Sequence, residues 1–195
     1  MTNDIANILG QKDFFIDKRI ASASDYYLSG NILDPEEYIE WFEAIRNAQE
    51  NETITIHINS SGGDLFTAVQ FIRVMQESKG YIIASVEGAC MSAATMIFLQ
   101  AHEFIISNYS SFMFHNYSGG TIGKGGEMAD QIIFEKKWSE DMMKDIYKDF
   151  LTEKEIESML NGKDIWMSGT EVANRLEAKA KKINSAIKKA TRKSR

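Results

Sequence analysis

Three stretches of the chain carry the residue types that acyl-transfer chemistry uses. Ile58-Asn59-Ser60-Ser61-Gly62-Gly63 ends on a glycine pair. Gly88-Ala89-Cys90-Met91-Ser92-Ala93-Ala94 places a hydroxyl at the mouth of an apolar run. Phe112-Met113-Phe114-His115-Asn116-Tyr117-Ser118-Gly119-Gly120 places a histidine beside glycine-rich backbone. Together they offer a nucleophile, a base and two turns whose backbone N–H groups can meet a developing negative charge.

Each residue also has a plainer reading. A serine at the start of a helix is a favoured N-cap, and Ser92 stands where the pattern predicts one. As a nucleophile it would see the positive helix end and the first unpaired N–H groups. Cys90 is the rival nucleophile, placed inside the turn that Gly88 is expected to make. Gly62-Gly63 follows a strand pattern and precedes a helix pattern, so it is either a simple turn or a place where backbone approaches a substrate. His115 is the one histidine of three at a strand end beside flexible backbone. His57 falls inside a strand, and His102 lies in an exposed-looking Gln100-Ala101-His102-Glu103 sequence. Asp164, after Asn161-Gly162, is either an exposed turn acid or the carboxylate that orients the histidine, which requires burial beside His115.

Other chemistries lack their motifs. No G-x-S-x-G elbow surrounds Ser92. Gly119-Gly-Thr-Ile-Gly-Lys124-Gly125 is one residue short of a P-loop, and no Ser or Thr follows the lysine. No Cys/His cluster marks a zinc site. Neither a metal nor a cofactor is expected.

The elements that must hold these residues alternate between strand and helix patterns, which argues an α/β domain. Tyr26–Gly30 reads as a strand. Asp34-Pro35-Glu36-Glu37 is a helix start with an N-cap, a first-turn proline and acids at the positive dipole end, and Tyr38, Phe42 and Ile45 follow at helical spacing. Thr53–Ile58 alternates as a half-buried strand. Residues 64–78 read as a helix with Leu65, Val69, Ile72 and Met75 on its apolar face. Tyr81–Val86 reads as a buried strand, 92–100 as a buried helix, and Phe104–Ile106 and Ser111–Phe114 as further strands. A long helix is expected over Glu127–Phe150, with Met128, Ile132, Met142, Ile146 and Phe150 as its apolar side. A Thr152-capped helix to Leu160, an extended Asp164–Met167 and a Ser168-capped helix complete the pattern.

At 195 residues, 44% hydrophobic and 26% charged, the chain suits one globular domain. No apolar run reaches the roughly 18–20 residues that span a bilayer. Met1-Thr-Asn-Asp-Ile-Ala-Asn7 lacks the basic and apolar pattern of a signal peptide. A single cysteine cannot form an internal disulfide framework, so a cytoplasmic protein is expected. From Lys179 the last seventeen residues hold eight basic groups and no acid. Removing those eight from the 22 basic residues leaves 14 against 28 acidic ones over residues 1–178. Such a tail can touch nucleic acid, but no aromatic residue interleaves the lysines, and a solvated tail is the simpler reading.

Taken in order, these segments resemble the ClpP-type serine peptidases, the proteolytic subunit of the Clp protease. The resemblance runs from about Tyr26 to Leu176. Tyr27–Ile32 is similar to the family's opening strand and turn, and Ile58–Gly63 to its Ile-Asn-Ser-Pro-Gly-Gly signature. Gly88–Ser92 matches its Gly-x-x-x-Ser segment, and Met113-Phe-His115 with Gly119-Gly120 its histidine segment. Asp164–Ser168 matches the stretch that carries the third triad member.

The resemblance implies a ClpP/crotonase-like spiral of β-β-α units with a protruding helical handle. It divides the chain into an N-terminal segment (1–20), a peptidase domain (21–176) and the basic tail (177–195). It implies Ser92 as nucleophile, His115 as general base and acid, Asp164 as orienting carboxylate, and the N–H groups of Gly63 and Ala93 as oxyanion hole. Backbone from Ser118 to Gly126, with Gly119 and Gly120, would pair with the peptide. The implied activity is endopeptidase cleavage of unfolded polypeptides in a homo-oligomeric chamber of stacked, heptameric rings. An AAA+ unfoldase is the implied partner, with neither nucleic acid nor membrane. Met128, Trp138 and Met142 would be ring-to-ring contacts. Ser61 stands where the family has proline, and Asn116-Tyr117 where it has Gln-Pro, which predicts softer loops around the site. Compact versions of this kind look like those of phages and plasmids, where processing of virion head or scaffold proteins is one task. The same architecture also serves crotonase-type acyl-thioester enzymes, which need no serine–histidine pair, and inactive assembly homologues.

Overall fold

The computed structural model describes residues 22–193, with side chains through Ile183 and at Ser185. The expected N-terminal segment 1–20 and most of the tail's basic side chains lie outside the described residues.

A strand–helix alternation builds one mixed sheet. Strand β1 (Ser22–Ile32) leads through a 3-10 turn (Pro35–Tyr38) into α1 (Ile39–Asn47). Then follow β2 (Glu52–Gly63), α2 (Leu65–Glu77), β3 (Tyr81–Met91), α3 (Ala93–Phe98), β4 (Glu103–Ile106) and β5 (Ser111–Phe114). Helices α4 (Gly125–Tyr147) and α5 (Glu153–Leu160), β6 (Ile165–Ser168) and α6 (Gly169–Lys193) complete the chain. The sheet runs β1-β2-β3-β5-β6. β1, β2, β3 and β5 are parallel and β6 is antiparallel to β5. β4 also pairs in parallel with β3, along Ile83–Val86, while β5 takes Ala89–Met91 further up the same strand.

The period-2 pattern of β2 fixes which face is inside. Ile54, Ile56 and Ile58 are buried, and their neighbours on β1 and β3 (Leu28, Ile82, Ala84, Val86) join them. Phe42 and Ile45 of α1, with Phe71 and Val74 of α2, cover that face. Phe42 meets Phe71 edge-on at 4.8 Å between centroids, and Tyr38 meets it at 5.2 Å. Each such fully buried side chain contributes roughly 1.5–3 kcal/mol. The other face of β1–β3 carries Tyr27, His57 and Glu87 toward solvent. A parallel sheet is ordinarily covered on both faces.

Several local expectations shift. The strands β2 and β3 run on through Gly62-Gly63 and Gly88 because inter-strand pairing resumes to their ends, with register shifts between Ser60 and Gly62 against β1 and between Val86 and Cys90 against β2. Gly88 makes no turn. Its missing side chain admits Asn59, whose Oδ1 accepts from the Ala89 N–H at 2.9 Å. The fully buried face of α2 is Thr67, Ala68, Phe71, Val74 and Met75, while Leu65, Val69 and Ile72 are half-buried. On α4 it is Ser139, Met143 and Tyr147 that are buried. Ile132 is exposed, with Ile133 and Phe134 beside it. Only the C-terminal half of α4 meets the core: of the expected apolar side, Met142 and Ile146 pack half-buried against it and Phe150, just past the helix end, is buried, while Ile132 is exposed. Asp34 makes no side-chain cap, but Thr152 and Glu155 form a full capping box on α5. α6 passes residue 176 without interruption. Among the described residues no helix is long and apolar enough to cross a membrane.

Candidate active site

Sheet pairing brings the distant segments together. β3 ends at Met91, and the Ser92 N–H donates to the Met113 carbonyl on β5 at 2.8 Å. That bond sets the hydroxyl two residues along from His115. Ser92 has φ 54° and ψ −129°, the one positive φ outside glycine among the described residues. Its side chain caps nothing. Instead its Oγ lies 2.6 Å from His115 Nε2, a short, direct nucleophile–base contact. A strained backbone that aims a hydroxyl at an imidazole is a functional signature, since such strain persists only where the surroundings impose it.

The glycine pair closes the site from the other side. Gly62 has φ +93°, and a Cβ there would fall 2.5 Å from the Ser92 Cβ and 3.1 Å from the Ala93 nitrogen. The end of β2 therefore lies directly against the β3–α3 junction, a fit that only glycine permits. Gly63 is held against β1, where the Asp64 N–H donates to the Ile32 carbonyl at 2.9 Å. Gly63 and Ala93 line one cavity of about 460 Å³ with Ser92 and His115. Its lining includes the apolar Phe66, Met96, Trp138 and Met143, with Phe66 stacked on Trp138 at 5.6 Å. Gly119 and Gly120, in the segment between β5 and α4, also line it. A second cavity of about 620 Å³ flanks the same pair and includes Asn31, Leu33, Asp34, Glu37 and Ser61.

Asp164 stands apart from the pair. The antiparallel register pairs Phe114 with Ile165, so one further step sets His115 across from Asp164. Asp164 is exposed, and among the described residues neither its carboxylate nor His115 Nδ1 has a hydrogen-bond partner. The burial beside His115 expected of an orienting acid is not met in this conformation.

The rival groups are removed by their surroundings. Cys90 is fully buried in β3, and burial pushes its thiol well above the ordinary range, so it is neither reachable nor ionised. His57 is tied up on the outer sheet face, with Nδ1 2.8 Å from Glu87 and Nε2 3.2 Å from Asp25. Burial alone would lower its pKa, but the two carboxylates outweigh burial and raise it. His102 Nδ1 accepts from the Ile82 N–H at 2.9 Å.

Both sites of missing proline are braced by side chains. Ser61 Oγ donates to Asn31 Oδ1 at 2.8 Å across β1 and β2. Asn116 Nδ2 donates to the Leu160 carbonyl at 3.1 Å, tying the loop after His115 to the end of α5.

Two residues beneath the site escaped the sequence reading. Thr95 and Tyr147 are buried and bonded to each other at 2.7 Å, and Thr95 also bonds to the Ser92 carbonyl. A lone polar residue inside the apolar Ala93-Ala94-Thr95-Met96-Ile97 run was the available signal.

No curated protein matches the chain. The sequence model of the Clp protease family matches residues 19–193, which takes in every element of the sheet and each residue of the site. The chain therefore belongs to the Clp protease family and is a ClpP-type peptidase.

Proposed function

We propose that this protein is a serine endopeptidase that cleaves unfolded polypeptides through an acyl-enzyme, with Ser92 as nucleophile and His115 as base. The observation that carries the proposal is the 2.6 Å contact between Ser92 Oγ and His115 Nε2 at the mouth of an open cavity. His115, neutral with its proton on Nδ1, takes the Ser92 proton as the oxygen attacks the substrate carbonyl. The Gly63 and Ala93 N–H groups receive the oxyanion. The imidazolium then protonates the leaving amine, and the bond from carbon to nitrogen breaks. Water repeats the sequence on the acyl-enzyme, with His115 again as base.

Asp164 enters as the orienting carboxylate by a side-chain rotation onto Nδ1–H, since the next position of the register after Phe114–Ile165 lies across from His115. Gly119, Gly120 and the backbone around them would hold the peptide as an added strand. The apolar wall of Phe66, Met96, Trp138 and Met143 suits an apolar side chain next to the cleaved bond.

The chamber belongs to the same proposal. The peptidase domain spans 21–176 as a spiral of β-β-α units, with 177–195 as a basic extension. α4 is the handle. Its exposed Ile132, Ile133 and Phe134 suit contact between stacked rings better than the half-buried Met128, Trp138 and Met142 do. The face of the parallel sheet that no described element covers suits an assembly that covers it. A cytoplasmic homo-oligomer, fed by an AAA+ unfoldase, is the setting this implies.

A fluorophosphonate probe tests the reaction. Wild-type protein should take one label per chain and cleave an unstructured fluorogenic peptide, and Ser92→Ala should do neither. A wild-type protein that takes no label, or a Ser92→Ala variant that keeps wild-type turnover, would refute it.

A further inference from the structure

The strain at Ser92 needs something to hold it. Two hydroxyls in series do so from below. Thr95 Oγ1 lies 2.7 Å from the Ser92 carbonyl oxygen, and 2.7 Å from the Tyr147 hydroxyl. A carbonyl only accepts, so the single Thr95 hydrogen is committed to Ser92. Tyr147 must then be the donor to Thr95, which requires a neutral phenol. Burial keeps it so by raising its pKa far above the ordinary range, although the Thr95 bond opposes that in part. The directed chain therefore runs from Tyr147 on α4, through Thr95 on α3, to the backbone of the nucleophile.

The surroundings make this chain stiff. Thr95 and Tyr147 are almost wholly buried, and the Tyr147 ring packs edge-on against Phe114 at 5.6 Å. Phe114 immediately precedes His115. One side chain thus bears on both halves of the pair: its ring supports the strand that carries the base, and its hydroxyl orients Thr95, which bonds the carbonyl of the nucleophile.

We propose that Thr95 and Tyr147 are positioning residues that hold Ser92 in its strained conformation with Oγ aimed at His115 Nε2. This rests on the serine-hydrolase reading above. The Ser92 carbonyl also accepts from the Thr95 N–H at 2.9 Å; losing the Thr95 hydroxyl, or the Tyr147 hydroxyl that orients it, weakens the side-chain part of that hold, and the Ser92 hydroxyl then spends less time in line with the imidazole.

The test compares Tyr147→Phe, Thr95→Val, Thr95→Ser and the Thr95→Val/Tyr147→Phe double variant with wild type. It reads the second-order rate of fluorophosphonate labelling, kcat and KM on an unstructured peptide, and folding by circular dichroism. Tyr147→Phe and Thr95→Val should each lower the labelling rate and kcat about tenfold, the size of one lost hydrogen bond, with KM unchanged within about twofold. Thr95→Ser keeps the hydroxyl and should label within about twofold of wild type. The double variant should be no slower than the slower single variant, because both break one chain. Labelling of the folded single variants at the wild-type rate would overturn the proposal. So would a raised KM with unchanged kcat, which would make Tyr147 only a wall of the cavity. Should Tyr147→Phe fail to fold, Thr95→Val against Thr95→Ser reads the same chain. A wild-type protein that takes no label sinks the hydrolytic reading itself, a different result from equal labelling of wild type and variants.

Discussion

Gly62 and Gly30 form a matched pair of perturbations. Both have positive φ, +93° and +75°. An alanine at either position bears the left-handed backbone cost of about 1–2 kcal/mol. At Gly30 the new Cβ meets nothing within 4 Å. At Gly62 it lands 2.5 Å from the Ser92 Cβ and 2.8 Å from the Met91 carbonyl oxygen. Carbon atoms rest about 3.5–4.0 Å apart, so Ser92 must retreat by about 1 Å. Overpacking of this kind costs a further 1–3 kcal/mol or so, and a misplacement near 1 Å at a reacting group lowers rate about 10²-fold. Gly30→Ala should therefore lower Tm by about 2–8 °C and leave the rate of peptide hydrolysis within about twofold of wild type. Gly62→Ala should lower Tm by several degrees more and slow both hydrolysis and fluorophosphonate labelling about 10²-fold. Calorimetry and initial rates on the folded proteins decide it. Wild-type turnover in Gly62→Ala, or an equal loss of rate in Gly30→Ala, would show that contact with Ser92 is not what Gly62 provides.

Three further outcomes are expected. Asp164→Asn should reduce kcat by about 10–100-fold, less than the 10⁴ or so that follows loss of a buried triad carboxylate, because Asp164 is exposed and must rotate to reach His115; unchanged kcat in steady-state assays would remove it from the mechanism. Cys90→Ser should label as fast as wild type in a gel-based probe assay, since the thiol is buried and un-ionised; loss of labelling would reinstate the thiol. Glu155 receives a two-pronged bond from Arg175 at 2.9 and 2.7 Å, which, with the Thr152 cap, brings its pKa from 4.5 down to about 2. A depressed carboxylate pKa adds stability above the free value and loses it as pH falls toward the folded one. The denaturant stability gap between wild type and Glu155→Gln should hold at about 1–2 kcal/mol above pH 5 or so, given partial solvent screening, and should close between about pH 4.5 and 2. A gap that is independent of pH would refute the assignment.

The order of elements was legible because hydrophobic period and punctuation residues are local. Thr152 marked a helix N-cap, the alternation of Thr53–Ile58 marked a half-buried strand, and Ser111–Phe114 marked its strand end to end. Buried faces were less legible. The inner side of α4 is set by which half of the helix lands on α3 and β5, and that is a long-range fact. The same holds at Gly88, where a turn was expected and an Asn59 side chain was found.

The primary sequence determined the cast: a serine, a histidine and paired glycines in family order, with an aspartate at matching spacing. Tertiary structure decided which of them meet. Ser92 and His115 touch because Ser92 N–H bonds to Met113 across two parallel strands, while Asp164, across from the base one step past the last paired residues, remains turned to solvent. It also recruited Thr95 and Tyr147, 52 residues apart, into one hydrogen-bonded chain under the nucleophile. The physical reason is that bonding and burial depend on separation in space, whereas propensity and periodicity report only on separation along the chain.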